Sequence, residues 1–386
     1  MADDRVVWDQ ISGSFIVSGY RDARSVLSDN TLWKDPDRAE PAAVLLKSFK
    51  PVSASGDYNA SMLWLDGDEH ARVRGPFAKA FAKRVPQARD MIEAIVERQL
   101  AETSHRRTLD GISDYAAPIP VDVILAFLGA EKADLPLVRN WAASLNKIFQ
   151  PQRTADENSE MAAAMEKLGN YLDDLVAERR KRPRDDLVSD IVSAPELRLS
   201  GSEVRVNFIG LVTGGILTTT DLIGNALRLF ALFPGEREKL LANPAGISDA
   251  IEEVLRLESP VEGAQRVLSK DLSLSGCPVR RSQVVVAAVP RANRDPDVFR
   301  EPERFDIARE RVPHLSFGGG AHICLGAPLA RLEGQIAVLK FLQRFPRLRL
   351  AHPDAPPKWR GTPFFHGLEE LPLAVGARDS EPAARR

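Results

Sequence analysis

Cysteine is scarce in this chain, with only Cys277 and Cys324 among 386 residues. So few thiols exclude a disulfide framework and point to a reducing compartment, the cytoplasm. No sign of charge is in excess: the formal net charge is −2, which gives no global pull toward nucleic acid or an anionic membrane surface. Long apolar runs are missing too. The most apolar stretch, 208–220, is followed by Asp221, Asn225 and Arg228, short of the roughly 18 apolar residues of a membrane span. The opening Met1-Ala2-Asp3-Asp4-Arg5 has no apolar signal-peptide core. No internal repeat and no linker is visible. The basic run 179–182, followed by Asp185 and Asp186, reads as a solvated helix end. A soluble protein without nucleic-acid or membrane partners is expected.

What is present is ordinary globular composition, 44% apolar and 27% charged. A short strand at 15–17 leads into a helix at 21–27. Residues 35–64 are rich in Pro, Ser and Gly without a sustained period, and loops of that length are usually functional. From 69 to 242 the apolar spacing is mostly 3 and 4, which predicts helices, the longest over 202–233 and ending at Pro234-Gly235. After Leu268 short alternations at 272–274 and 284–288 predict small strands. A final amphipathic helix carries Leu325, Leu329, Leu332, Ile336, Leu339 and Leu342. The tail 380–386 is expected to be disordered. The fold class is mainly α with minor β, in a single domain over 1–386.

The most informative segment is Phe317-Gly318-Gly319-Gly320-Ala321-His322-Ile323-Cys324-Leu325-Gly326. Successive glycines let the backbone turn tightly and approach something flat. Cys324 stands at the start of the final helix, whose N-terminal partial charge favours thiolate over thiol. No Lys-Ser or Lys-Thr follows the glycines, so this is not a phosphate loop. His322 and Cys324 alone are too few ligands for zinc. A Cys–His acyl-transfer pair is possible in principle, yet near neighbours on one turn rarely face each other. A glycine turn holding a buried free cysteine is the bland alternative.

The decapeptide resembles the haem-binding signature of cytochromes P-450, F-G-x-G-x-H-x-C-x-G, with every fixed position filled, Phe317 and Gly318 included. The resemblance implies the cytochrome P-450 fold, with a long central helix over the haem and small β-sheets. It also implies haem b, and Cys324 as the axial thiolate that favours O–O cleavage. Glu253-Val254-Leu255-Arg256 matches the family's E-x-x-R, with acid and guanidinium on one helix face. Pro302-Glu303-Arg304-Phe305 resembles its P-E-R-F segment. The expected outcome is a buried Glu253–Arg256–Arg304 triad holding the cysteine loop. His70 and Arg74 match H-x-x-x-R, and with Arg266 and His322 they are the implied partners of the haem propionates. Pro120–Ile124, Asp185–Leu187, Ala292–Pro296, Gly367-Leu368 and Leu371-Pro372 extend the resemblance over most of the chain. His314 reads as loop structure.

Two departures stand out. Family members commonly carry A/G-G-x-D/E-T on the helix crossing the oxygen side. Here the stretch reads Gly214-Gly215-Ile216-Leu217-Thr218, so Leu217 replaces the acid while Thr218 keeps the threonine. In the family that acid and threonine organise proton delivery. Asp221, one turn beyond Leu217, is a candidate detour for protons through water; the bland reading is that it only decorates the helix end of the pocket. The segment 1–14 is also shorter than usual, which fits either a more open access channel or a misplaced start.

The resemblance assigns pocket roles to Leu45, Leu46, Phe49, Tyr58, Met62, Gly210, Leu211, Gly214, Leu217, Val261, Phe364 and Phe365, mostly apolar as ligand pockets are. Lys47 or Lys50 would suit a carboxylate. No flavin or iron–sulfur motif occurs, so NAD(P)H acts only indirectly, through a separate ferredoxin and ferredoxin reductase. The implied activity is a soluble, bacterial-type monooxygenase inserting one oxygen atom from O2 into a small, mainly apolar organic substrate. Peroxide-driven oxidation, and a non-catalytic haem or ligand-binding protein, are the alternatives.

Overall fold

The computed structural model describes residues 5–48, 60–145, 153–194, 199–310 and 313–376. The predicted tail 380–386 and the pocket candidates Phe49, Lys50 and Tyr58 lie outside them. At the centre runs the helix Gly201–Leu232, 32 residues long. Ser200 starts it with a capping box: its hydroxyl accepts from the Glu203 backbone while the Glu203 carboxylate accepts from the Ser200 N–H. It ends where Pro234 opens the next helix, Pro234–Ala242, at a first-turn position where a missing N–H does no harm.

By length and composition the central helix is apolar enough to cross a membrane, but 56% of its most apolar window is buried inside the fold. It packs against the helices Pro118–Leu128, Ala155–Lys181 and Ala327–Arg344. Gly334 on the last of these permits close approach, since a Cβ there would meet Leu222 Cδ2 at 3.0 Å. Helices Gly67–Arg84 and Arg89–Thr103 extend the helical layer.

A four-stranded sheet lies to one side, in the order Val6–Asp9, Ser14–Val17, Val284–Ala288, Gly263–Val267. Ser14–Val17 pairs in parallel with Val284–Ala288, so the N-terminus is stitched to a segment 270 residues away. Helix Tyr20–Ser28 packs on this sheet through Tyr20, Ala23, Val26 and Leu27. The region 69–242, read as helical from its mostly 3 and 4 spacing, also contains a strand, Thr108–Asp110, which pairs with Pro372–Ala374. The basic run 179–182 is only partly solvated. Arg179 is 1% exposed, pairs with Asp186, and donates to the Gly129 carbonyl at 2.6 Å. Its long side chain reaches back from the helix end, while Arg180, Lys181 and Arg182 stay exposed.

Candidate functional site

Phe317 to Gly326 form a hairpin-like loop closed by the Cys324 N–H donating to the Phe317 carbonyl at 2.9 Å. Gly318 and Gly320 have φ of +70° and +65°, a region costly for other residues. A Cβ on Gly320 would stand 2.5 Å from Asn30 Oδ1 and 3.0 Å from the Leu27 carbonyl. The loop is thereby pressed against the end of helix Tyr20–Ser28. Cys324 is solvent-accessible on a surface set deep in the fold. Burial of the sulfur raises its pKa, and the N–H groups of Gly326 and Ala327 at the start of the final helix oppose that shift. The helix terminus alone therefore does not make the thiolate; a bound cation would.

The E-x-x-R helix, Ile247–Leu257, holds this loop through a continuous set of bonds. Arg256 donates to both carboxylate oxygens of Glu253, at 2.8 and 2.9 Å, and to the carbonyls of Asn293 (3.0 Å) and Pro302 (2.7 Å). The Asn293 side chain accepts from the Leu315 N–H at 2.8 Å and donates to Ser316 Oγ, which donates to the Leu255 carbonyl. Leu315 and Ser316 immediately precede Phe317. Asn293 is thus a link that the sequence reading left inside a family stretch without a role.

The third member of the triad is not Arg304. Its side chain is 53% exposed and pairs with Glu301, and only its backbone carbonyl takes part, accepting from Arg256 and Arg309. The turn after Pro302 points its carbonyls inward and the Arg304 side chain outward. Arg309 fills the place, its Nε 3.0 and 3.1 Å from the two Glu253 oxygens. Beside this network Glu252 binds His314 and Arg331, and Arg331 covers the Phe317 ring. His314 is therefore part of the loop's support.

His70, Arg74, Arg266 and His322 come together above the loop. The His70 and His322 rings lie 4.1 Å apart, and Arg74 donates to the Ile323 carbonyl at 2.6 Å. Arg266 is 4% exposed and donates to the carbonyls of Leu27 and Gly319. Burial and neighbouring positive charge push His70 down to about 4 and Arg266 is lowered by burial to about 10. His70 Nε2 is buried with no hydrogen-bond partner. Among the described residues the carboxylate acting on these four groups is that of Asp66, 3.7 Å from His322. Two arginines, Arg74 and Arg266, against one nearby carboxylate, together with an orphaned imidazole nitrogen, suit a dianionic ligand such as the two propionates of haem.

On the central helix Gly210, Gly214 and Thr218 recur at intervals of four and form an open stripe on an otherwise buried element. A Cβ at Gly210 or Gly214 would meet nothing within 4 Å, and Thr218 Oγ1 donates to the Gly214 carbonyl at 2.8 Å. Leu211 is half-buried and Leu217 is 5% exposed.

Asp221 does not share that stripe. It is buried against the C-terminal turn, ion-paired with Arg360 and crowded by Gly367. Burial pushes its pKa up to about 6, with Arg360 opposing. The expected proton detour thus gives way to a structural ion pair. Because the folded pKa lies above the ordinary carboxylate value of 3.8, the ionised carboxylate costs stability as pH rises through that window. Removing Arg360 should enlarge this cost. Arg360→Met is expected to lose more stability at pH 8 than at pH 5, read as urea midpoints; equal losses would mean the pair carries no charge coupling.

The turn beyond Arg360 carries Phe364 and Phe365, both half-buried, with Phe365 bridged to Val261. His366 holds it down. Burial works against the charged imidazole, yet Glu258 at 2.5 Å and Glu262 at 3.4 Å raise His366 to about 9. Sequence reasoning gave His366 no role. The signal was in the pair Glu258 and Glu262, which lie four residues apart in the turn after helix Ile247–Leu257.

Comparison with known proteins places this geometry. A family model described as Cytochrome P450 matches residues 247–366. The chain is 35% identical over 370 residues to "Cytochrome P450 107B1" of Saccharopolyspora erythraea, covering 94% of this chain and 90% of that protein. It is 35% identical over 364 residues to "Nocardicin C N-oxygenase" of Nocardia uniformis, covering 93% and 89%. The crystal structure of P450BioI in complex with a hexadec-9Z-enoic acid ligated acyl carrier protein superposes with a TM-score of 0.84 at 31% identity, covering 94% of this chain and 92% of that one.

Proposed function

Because the chain belongs to the cytochrome P450 family and is a haem b monooxygenase, we propose that Cys324 is its axial thiolate and that its substrate is a mainly apolar small molecule. The observation that carries this reading is the cysteine loop: an accessible Cys324 at the start of the final helix, with Arg74, Arg266, His70 and His322 gathered against the same loop. When bound, the haem supplies oxygen activation, with electron density from the sulfur favouring O–O cleavage. The chain's own residues do the rest. Arg74, Arg266, His70 and His322 orient the group, while Gly210 and Gly214 keep the central helix flat enough for a ligand to lie against it. Leu211, Leu217, Val261, Phe364 and Phe365 provide apolar walls that exclude water.

Relatives named "6-deoxyerythronolide B hydroxylase" and "Mycinamicin IV hydroxylase/epoxidase" support oxygenation of a small organic substrate. Electrons come from separate redox proteins, for which a small ferredoxin and its reductase in the cytoplasm are the proposal. A screen of apolar compounds for displacement of the iron's water ligand, read as a Soret shift, tests the substrate class. Shifts produced only by small charged compounds would refute it.

Leu217 cannot relay protons, and Asp221 is engaged by Arg360. Oxygen consumption should therefore be poorly coupled. General acid assistance contributes roughly 10²–10⁴-fold, so Leu217→Glu should raise product formed per NADH consumed, and Thr218→Ala should raise hydrogen peroxide release. Tight coupling in the unaltered enzyme would show that another group, or the substrate itself, delivers the protons. Strong turnover with peroxide alone would favour the peroxide-driven alternative.

A further inference from the structure

Lys34 entered no motif, yet it is one of the most buried charged residues, 6% exposed. Its position follows from strand register. Trp33 and Val267 exchange both backbone hydrogen bonds, N–H to carbonyl, at 2.9 and 2.8 Å. The next residues across this antiparallel bridge are Lys34 and Arg266, whose side chains therefore project from the same face as a directly opposed pair. Like charges in that relation are destabilising, and here both are buried. A fold does not keep such a pair without a counter-charge.

The protein supplies too little. Asp66 accepts from the Lys34 backbone N–H at 2.8 Å and from the Asp35 N–H at 3.3 Å, and faces His322 at 3.7 Å. Among the described residues the Lys34 ammonium has no carboxylate at ion-pair distance. Its recorded contact is the face of Trp64, 5.4 Å from the ring centroid. Burial and the Arg266 charge together take Lys34 down to about 7, the behaviour of a lysine short of an anion.

We propose that Lys34 is a further anchoring residue for the cofactor, pairing its ammonium with a haem propionate beside Arg266 and His322. The assignment rests on the haem reading and extends its cation set by a residue from outside the family's motifs. In the haem-free protein Lys34 is a repulsive neighbour of Arg266; in the loaded protein it is a counter-ion.

That double role gives effects of opposite sign, which a merely structural lysine would not. Haem transfer from the holoprotein to excess apomyoglobin is followed for wild type, Lys34→Met and Lys34→Arg. The same measurement is made after reconstitution with haem dimethyl ester, whose propionates are uncharged. Lys34→Met is expected to release native haem about 10- to 100-fold faster, the loss of one charged hydrogen bond, and the dimethyl ester at the wild-type rate. Lys34→Arg should stay near wild type, and haem-free Lys34→Met should melt no lower than haem-free wild type. Equal release of native haem, or a parallel loss for both haem forms together with a lower melting temperature of the haem-free variant, would overturn the proposal. Lys34→Gln gives the same comparison if the methionine variant does not accumulate. Failure of wild type itself to hold haem would instead remove the reading on which the proposal rests.

Discussion

Glu253→Ala is expected to yield protein that is insoluble or free of haem. Glu253 is 4% exposed and its two oxygens accept from Arg256, from Arg309 and from the Asp306 N–H. Removing one member of a buried ion network leaves its partners uncompensated, at ~3–5 kcal/mol, a large share of the ~5–15 kcal/mol that holds a typical protein folded. The damage is also local. Arg256 binds the Asn293 carbonyl, and Asn293 holds Leu315 and Ser316 ahead of the cysteine loop. Arg256→Ala should behave alike. The structure separates two arginines that the sequence pattern did not: Arg309→Ala should lose haem, whereas Arg304→Ala, altering a half-exposed pair with Glu301, should cost at most ~1 kcal/mol. Haem content per protein and urea midpoints for the four variants check this; equal losses at 304 and 309 would contradict the assigned network.

Cys324→Ser is expected to retain haem and lose turnover fed by NADH and redox partners. The two functions are held by different residues. In the proposed site His70, Arg74, Arg266 and His322 would hold the periphery of the group, while the sulfur alone would supply the soft anionic ligand. A serine hydroxyl in the same place remains neutral near pH 7 and donates far less electron density. Cys277 lies in a small hairpin, Leu272–Leu274 with Cys277–Val279, and Cys277→Ser should leave turnover unchanged. Haem content near one per chain with product below detection is the expected pattern for Cys324→Ser. Undiminished product would show that the thiol is not part of the reaction.

What was legible in the sequence were features with short-range signatures. The 3–4 apolar spacing and the stop at Pro234-Gly235 place the central helix within a residue at each end, and the glycine–cysteine loop is contiguous. What was not legible depends on pairing over long separations. Strand Gly263–Val267, which carries Arg266, has no alternating pattern of its own and forms because Val284–Ala288 lies beside it. Thr108–Asp110 is three residues long and exists only through Pro372–Ala374. Arg304 and Arg309 look interchangeable as residues near an E-x-x-R helix, and only the direction of the turn after Pro302 chooses between them. Asp221 illustrates the limit of face arguments. A position one turn along from Leu217 was enough to suggest a relay, but the partner that fixes its role, Arg360, sits 139 residues away.

The most direct test of the account is the absorption spectrum of the reduced carbonyl complex of wild type, Cys324→Ser and Cys277→Ser. A strongly red-shifted Soret band, the mark of thiolate ligation, should be present in wild type and in Cys277→Ser and absent in Cys324→Ser. A band that survives in Cys324→Ser, or disappears in Cys277→Ser, would contradict the placement of the iron on Cys324.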